Sequence, residues 1–151
     1  MTKGTPRVAV EDTIAYHLRM AQDASFASIR KRFGSPDVRP GHYTILSIIA
    51  RRQGLTQGEL SKAAFRDTST LTTTLSELSR KGYVQRTRSD RDRRSYLISL
   101  TDSGHDYLKK LEVMADSHSA VLDAIVGEKD KQAFIDILKR IHTELADDLQ
   151  A

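Results

Sequence analysis

Apolar residues recur at helical spacing along most of this chain, with one short interval of strand character two-thirds of the way through. Over about residues 8–33, Ile14, Leu18, Ala21 and Ile29 mark one helical face, and Arg30, Lys31 and Arg32 load its end, where the carbonyl pole of a helix favours cations. Gly34, Ser35, Pro36 and Asp37 break the pattern. Pro40, whose missing N–H costs nothing at a helix start, opens a second predicted helix over about 40–52 that buries Tyr43, Leu46 and Ile49, and Gln53-Gly54 ends it. Thr56 and Glu59 then stand at the spacing of a capping box, bracketed by Leu55 and Leu60 as a hydrophobic staple, so a short helix over about 57–64 must start there. Asp67 or Thr68 can cap the next helix, in which Leu71, Leu75 and Leu78 form a narrow apolar seam and Gly82 is the terminator. Residues 83–88 and 96–100 read as two short strands around the charged run from Ser89 to Ser95, a hairpin with a cationic tip. Thr101 caps a long helix over about 102–126, where Tyr107, Leu111, Met114, His118, Val121 and Ile125 keep a spacing of three or four. Gly127 ends it, and a last helix over about 128–149 aligns Phe134, Leu138, Ile141 and Leu145.

Two short helices in tandem followed at once by a basic hairpin predict a mainly α (α+β) fold, a winged helix-turn-helix over about 39–101 with a two-stranded β-wing. At 151 residues the chain suits a single domain, 1–151, rather than two. The amphipathic helices at 8–33 and 102–149 have few surfaces within one chain against which to bury their stripes. A dimerisation layer, and hence a homodimer, is the economical reading.

Net charge is +4, and its distribution says more than its size. Between Arg51 and Arg94 eleven Lys and Arg face five Asp and Glu, which places +6 in the middle third and leaves −2 elsewhere. Such a concentration fits double-stranded DNA as partner once it coincides with tandem helices and a hairpin. The absence of cysteine excludes disulfides, thiolate metal sites and thiol-based redox sensing. No apolar run approaches the about 18 residues of a membrane span, and no signal-peptide core opens the sequence, so a cytoplasmic protein without membrane contact is expected. A Gly-rich phosphate loop, a cysteine nucleophile and a clustered acid/base set are all lacking, which argues against an enzyme and against a bound cofactor. His17, His42, His105, His118 and His142 are scattered without close ligand pairs, and no metal site is expected, although a metal-responsive regulator stays as an alternative, as does a winged module that binds protein.

On the recognition helix the candidates for base or phosphate contact are Thr68, Ser69, Thr70, Thr72, Thr73 and Ser76, with Arg66 before it. Ser and Thr near a helix start can equally well be caps, but three consecutive threonines inside a helix are poor helix formers and ask for another reason. The wing contributes Arg88, Arg91, Arg93 and Arg94, able to reach phosphates or a narrow minor groove. Asp90 and Asp92 would cost attraction beside DNA, so they are expected to orient neighbouring guanidiniums by bidentate pairing.

The run from Arg39 to Gly104 resembles the MarR family of regulators. The most specific match is a D-x-R-(A/S) wing followed by a strand ending L-T-x-x-G, met by Asp92, Arg94, Ser95, Leu100, Thr101 and Gly104; Leu78, Gly82, Tyr83 and Val84 match the exit from the recognition helix. The likeness covers nearly the whole chain, one helix preceding the winged part and two following it. It implies a homodimeric repressor with recognition helices in successive major grooves and wings on flanking minor grooves, released when a small molecule binds between the dimerisation layer and the DNA-binding lobe. It further implies that Asp92 braces Arg94 and that Arg93 and Arg94 probe the minor groove. The branch of the family that senses oxidants through cysteine is excluded here. The implied effector pocket, lined by the first, second and long fifth helices, would hold Tyr16, His17, Arg19, His42, Tyr43 and His118. An aromatic carboxylate would suit such residues, and the Arg66-Asp67-x-Ser69-Thr70-Leu71-Thr72 entry to the recognition helix resembles regulators of aromatic-acid catabolism, which implies a CoA thioester as the other effector class; a lone polar residue on an apolar stripe, such as His118, is more often a hydrogen-bonded core or interface histidine.

Overall fold

The computed structural model describes residues 8–34, 39–52, 54–90, 92 and 94–148. The chain divides into two compact units, Met1–Glu112 and Val113–Ala151. The first opens with a 3-10 turn, Val10–Asp12, and continues through α1 (Ile14–Phe33), α2 (Pro40–Arg51), β1 (Leu55–Thr56), α3 (Gln57–Ala64), α4 (Thr68–Arg80), β2 (Val84–Arg88) and β3 (Tyr96–Leu100) into the first half of α5 (Asp102–Val126). The rest of α5 and α6 (Glu128–Asp148) form the second.

Helix α1 begins at Ile14, later than the apolar spacing from Val8 suggests. Thr13 decides this: its backbone is extended, its Oγ1 accepts from the Tyr16 N–H at 3.3 Å, and its hydroxyl donates to the Val10 carbonyl at 2.7 Å. A capped start outweighs a few upstream apolar residues. No residue of α1 is buried.

The core of the first unit gathers around α2, whose Ile45, Leu46 and Ile49 are buried together with Leu60 of α3, Leu71, Leu75 and Leu78 of α4, Val84, Ile98 and Leu100 of the sheet, and Leu108 and Leu111 of α5. The capping box is complete, with Thr56 Oγ1 accepting from the Glu59 N–H and Glu59 Oε2 accepting from the Thr56 N–H at 2.8 Å. Helix α4 starts on Asp67 and stops in a Schellman arrangement, the Tyr83 N–H bonding the Leu78 carbonyl and the Gly82 N–H the Ser79 carbonyl, both at 2.9 Å. The αL backbone this requires, φ 75°, falls on Gly82, which has no Cβ to resist it. Between α3 and α4 the left-handed position falls instead on Phe65, φ 47°.

The sheet has three strands in the order β1-β3-β2, all antiparallel. The wing hairpin is β2 and β3, in register from Val84 opposite Leu100 to Arg88 opposite Tyr96. Leu55 and Thr56 add a two-residue strand on the far side of β3, opposite Ile98 and Leu97.

The join between wing and α5 explains the L-T-x-x-G spacing. The Thr101 N–H donates to the Tyr83 carbonyl at 3.1 Å, its hydroxyl donates to the Gly82 carbonyl at 2.5 Å, and its Oγ1 accepts from the Gly104 N–H at 3.0 Å. One threonine thus caps α5 and ties it to the end of α4. Gly104 is buried against the same carbonyl, and a Cβ at that position would fall on the Tyr83 oxygen.

In the second unit α5 passes into α6 through Gly127, φ 83°. Lys131 Nζ meets Asp123 Oδ2 at 2.8 Å, and that hydrogen bond and charge hold the ammonium above its ordinary pKa. His118 is buried, while Val113, Ile125 and Leu145 are 70%, 75% and 58% exposed.

Candidate nucleic-acid interface

Helix α4 buries only its leucine seam and leaves a face of hydroxyls to solvent. Thr68, Ser69, Thr70, Thr72, Thr73 and Ser76 are all exposed. The capping expectation at its start is met by Asp67, whose Oδ1 accepts from the Thr70 N–H at 2.8 Å and the Ser69 hydroxyl at 2.6 Å, while Oδ2 accepts from the Thr70 hydroxyl at 2.6 Å. The Ser69 and Thr70 hydroxyls and the Thr70 amide hold this carboxyl well below the usual range. The threonines that follow turn their protons inward: Thr72, Thr73 and Thr74 donate to the carbonyls of Thr68, Ser69 and Thr70 at 2.7, 3.1 and 3.0 Å. Their outward chemistry is therefore a methyl group and an accepting oxygen.

Arg66 is exposed in the α3–α4 turn, and its guanidinium lies beside Gly41 at the start of α2. Arg88 ends β2, with its guanidinium carbon 6.0 Å from the ring centroid of Tyr96 across the hairpin. At the wing tip Arg91 and Arg93 lie outside the described residues; Asp92 and Arg94 are exposed.

Bracing of Arg94 by Asp92 takes a different form from the expected carboxylate–guanidinium pair. Among the described residues, Asp92 Oδ1 accepts from the Arg94 backbone N–H at 2.9 Å and Oδ2 from the Ser95 hydroxyl at 2.6 Å. Ser95 first, then Arg94, holds the Asp92 carboxyl below its ordinary pKa. The Asp92 N–H reaches the buried Ser89 Oγ at 3.3 Å, and Ser89 and Ser95 close the loop through a backbone bond of 3.0 Å. Asp92 fixes the turn, and the turn presents Arg94 with its side chain exposed. Asp92 and Ser95 are turn chemistry in this chain, the Ser95 hydroxyl giving the carboxylate its second partner.

The expected effector residues are distributed as follows. Tyr16 and His17 stack edge to face at 5.3 Å on α1, where His17 Nε2 also lies 2.7 Å from the Glu11 carbonyl, and Arg19 is exposed on the same helix. Tyr43 is half-buried on α2, and His118 lies in the second unit. His42 makes its contacts with residues the sequence did not single out. Its Nδ1 is 3.4 Å from the Tyr107 hydroxyl, and its Nε2 is 3.7 Å from Glu77 Oε2, longer than a hydrogen bond. Glu77, on α4, also meets Arg39 at 3.3 Å and Lys81 at 3.6 Å, and Tyr107 stacks on Tyr83 at 4.3 Å.

Burial pushes the His42 pKa down, the charge of Glu77 opposing and those of Lys81 and Arg39 assisting. With the folded-state value depressed below the ordinary 6.5, the unfolded chain binds the proton more readily, so stability is whole above that pH and falls as pH drops through the depressed value. Melting temperature should therefore decrease from pH 7.5 to 5.5 more steeply in the native chain than in His42→Gln; equal slopes would refute the assignment.

Sequence reading also missed Gln57 and Arg86. Gln57 Nε2 donates to Thr72 Oγ1 at 2.6 Å, and Arg86 Nη2 donates to Gln57 Oε1 at 3.4 Å. Strand alternation places Arg86 on the side of the buried Val84, yet Arg86 is exposed, and nothing local in the sequence pairs it with a residue 29 positions away.

Among the described residues no cluster of His, Asp and Glu could hold a metal ion, and no helix is long and apolar enough to cross a membrane.

A model of the MarR family matches residues 37–95. The HTH-type transcriptional regulator SarZ of Staphylococcus epidermidis is 31% identical over 103 residues, 68% of each chain. Among solved structures, the PcaV transcriptional regulator from Streptomyces coelicolor in complex with its natural ligand superposes with a TM-score of 0.83 at 23% identity, over 92% of this chain and 98% of that one. The transcriptional repressor CouR bound to a 23-mer DNA duplex gives 0.81 at 24% identity, over 88% and 94%.

Proposed function

The chain belongs to the MarR family of transcriptional regulators, and from that membership we propose that it is a homodimeric repressor that sets α4 into the major groove of duplex DNA and its wing tip against an adjoining minor groove. It is a regulator and not an enzyme. The observation that carries the DNA reading is the exposed hydroxyl face of α4 beside a wing turn that Asp92 fixes and on which Arg94 stands exposed. The expected contacts are Arg66, the hydroxyl residues of α4 from Thr68 to Ser76, and Arg88, Arg91, Arg93 and Arg94, with Asp92 as their brace. CouR, of like fold, is a repressor solved on DNA, which supports the same role here.

Residues 1–151 serve on this reading as one domain, with 39–101 as the DNA-binding lobe. The homodimer is supported by α1, which buries none of its residues, and by the exposed Ile125, Phe134, Ile137 and Leu145. PcaV, solved with its natural ligand, supports a small-molecule effector, for which an aromatic acid or its CoA thioester at Tyr16, His17, Arg19, His42, Tyr43 and His118 is the proposal. A cytoplasmic location is the proposal that goes with action on DNA.

One experiment tests these parts together: sedimentation of the protein with a labelled duplex selected from a random library, across salt concentrations and with added phenolic acids or acyl-CoAs. Two chains per duplex, a steep fall of affinity with salt and release by one of the added compounds are expected. Arg94→Ala should weaken binding and flatten the logarithmic salt slope by about one unit. A stable free monomer at micromolar concentration would contradict the dimer, and an Arg94→Ala slope equal to the native one would contradict the wing contact.

A further inference from the structure

The Arg86–Gln57–Thr72 chain runs from the wing to the recognition helix and fixes the polarity of a hydroxyl on that helix. Its geometry follows from the sheet. Because β1 and β2 flank β3, Leu55 and Arg86 both lie opposite Ile98, and the start of α3 comes within reach of the Arg86 side chain. The capping box occupies Thr56 and Glu59 and holds the first turn of α3 in place, leaving Gln57 free to bridge.

The hydrogen-bond roles along this chain are forced. A guanidinium only donates, so the Gln57 amide must turn its oxygen to Arg86 and its NH2 to Thr72. Thr72 Oγ1 must then accept from Gln57, and its own proton goes to the Thr68 carbonyl at 2.7 Å. One acceptor lone pair remains. A hydroxyl held in that state can receive a hydrogen bond from the amino group of adenine or cytosine in the major groove, and it has no proton to give to guanine or thymine acceptors.

We propose that Gln57 is a positioning residue for base readout: under the polarity imposed by Arg86, it makes Thr72 an acceptor-only reader that favours a base presenting an amino group. This rests on the DNA-binding reading above. Thr72 is exposed on α4, Gln57 is half-buried beside it, and Gln57, Arg86 and Tyr96 line an open cavity of about 220 Å³.

The test is selection of duplexes from a random library by the native chain and by Gln57→Glu, Thr72→Val and the double variant, followed by affinities for every single-base change in the selected site. Gln57→Glu keeps shape and adds an acid to the first turn of a helix, where negative charge is favourable, so the variant folds. Its carboxylate can only accept, so the Thr72 hydroxyl turns round to donate. The added charge lowers affinity for all sequences alike; the expected specific effect is a loss of about three- to tenfold in discrimination at one position of each half-site, the worth of one hydrogen bond. In the Thr72→Val background Gln57→Glu should leave the preference unchanged. A Gln57→Glu profile that differs from native only by a uniform factor overturns the inference while leaving DNA binding intact. A change of preference that persists without the Thr72 hydroxyl also overturns it. A native chain that selects no sequence overturns both.

Discussion

Gly104→Ala is expected to cost the protein a large part of its stability, although it lies within the first turn of a helix where alanine is ordinarily the better residue. In an unhindered helix the exchange would gain up to about 1 kcal/mol. Here a Cβ would fall on the Tyr83 carbonyl, and backbone gives way far less easily than the end of a side chain. The obstacle cannot be moved cheaply, because that carbonyl accepts the Thr101 N–H while Thr101 also bonds Gly82 and Gly104. Opening the join would release the cap of α5 together with the end of α4. A loss of about 3 kcal/mol or more is expected, a large part of what a domain of this size possesses. Denaturant titration measures it; an unchanged or higher midpoint would show that wing and α5 are not locked at this contact.

Leu75→Ala should have a comparable effect by another route. The only apolar residues of α4 are Leu71, Leu75 and Leu78, and Leu75 is fully buried between the other two. Its threonines and serines contribute little helix propensity, so docking of this helix depends on three side chains. Removing the central one leaves a cavity and costs about 2–5 kcal/mol, which for this chain length lowers the melting temperature by roughly 10 °C. Thr73→Ala, on the exposed face of the same helix, should change stability by no more than about 0.5 kcal/mol. If the two substitutions shift the melting temperature equally, the leucine seam is not what holds α4.

Features carried by near neighbours could be read from the sequence. Thr56 and Glu59 announce the start of α3, the three leucines announce the buried side of α4, and Thr101 announces α5, because each signal spans at most two helical turns. What escaped depends on register or on competition. A strand of two residues, Leu55 and Thr56, is too short to show alternation and exists only because β3 offers its free edge. The start of α1 was misplaced because Thr13 captures the helix amides after an apolar run that reads as helical. The site divided in the same way. Exposed hydroxyls on α4 were legible from their spacing, whereas the Gln57 bridge and the meeting of His42 with Glu77 and Tyr107 join residues 15, 35 and 65 positions apart. Asp92 was recognised as a brace, and only the folded turn reveals that it holds backbone and hydroxyl.

The inward-turned protons of Thr72, Thr73 and Thr74 have a further consequence, for water. A solvent-exposed hydroxyl normally gives its proton to water, and drying such a surface severs that bond at a cost in free energy. On α4 those donors already end on the helix's own carbonyls. Toward water these three threonines offer accepting oxygens and methyl groups, so a surface that closes over them has no donor bonds of theirs to replace.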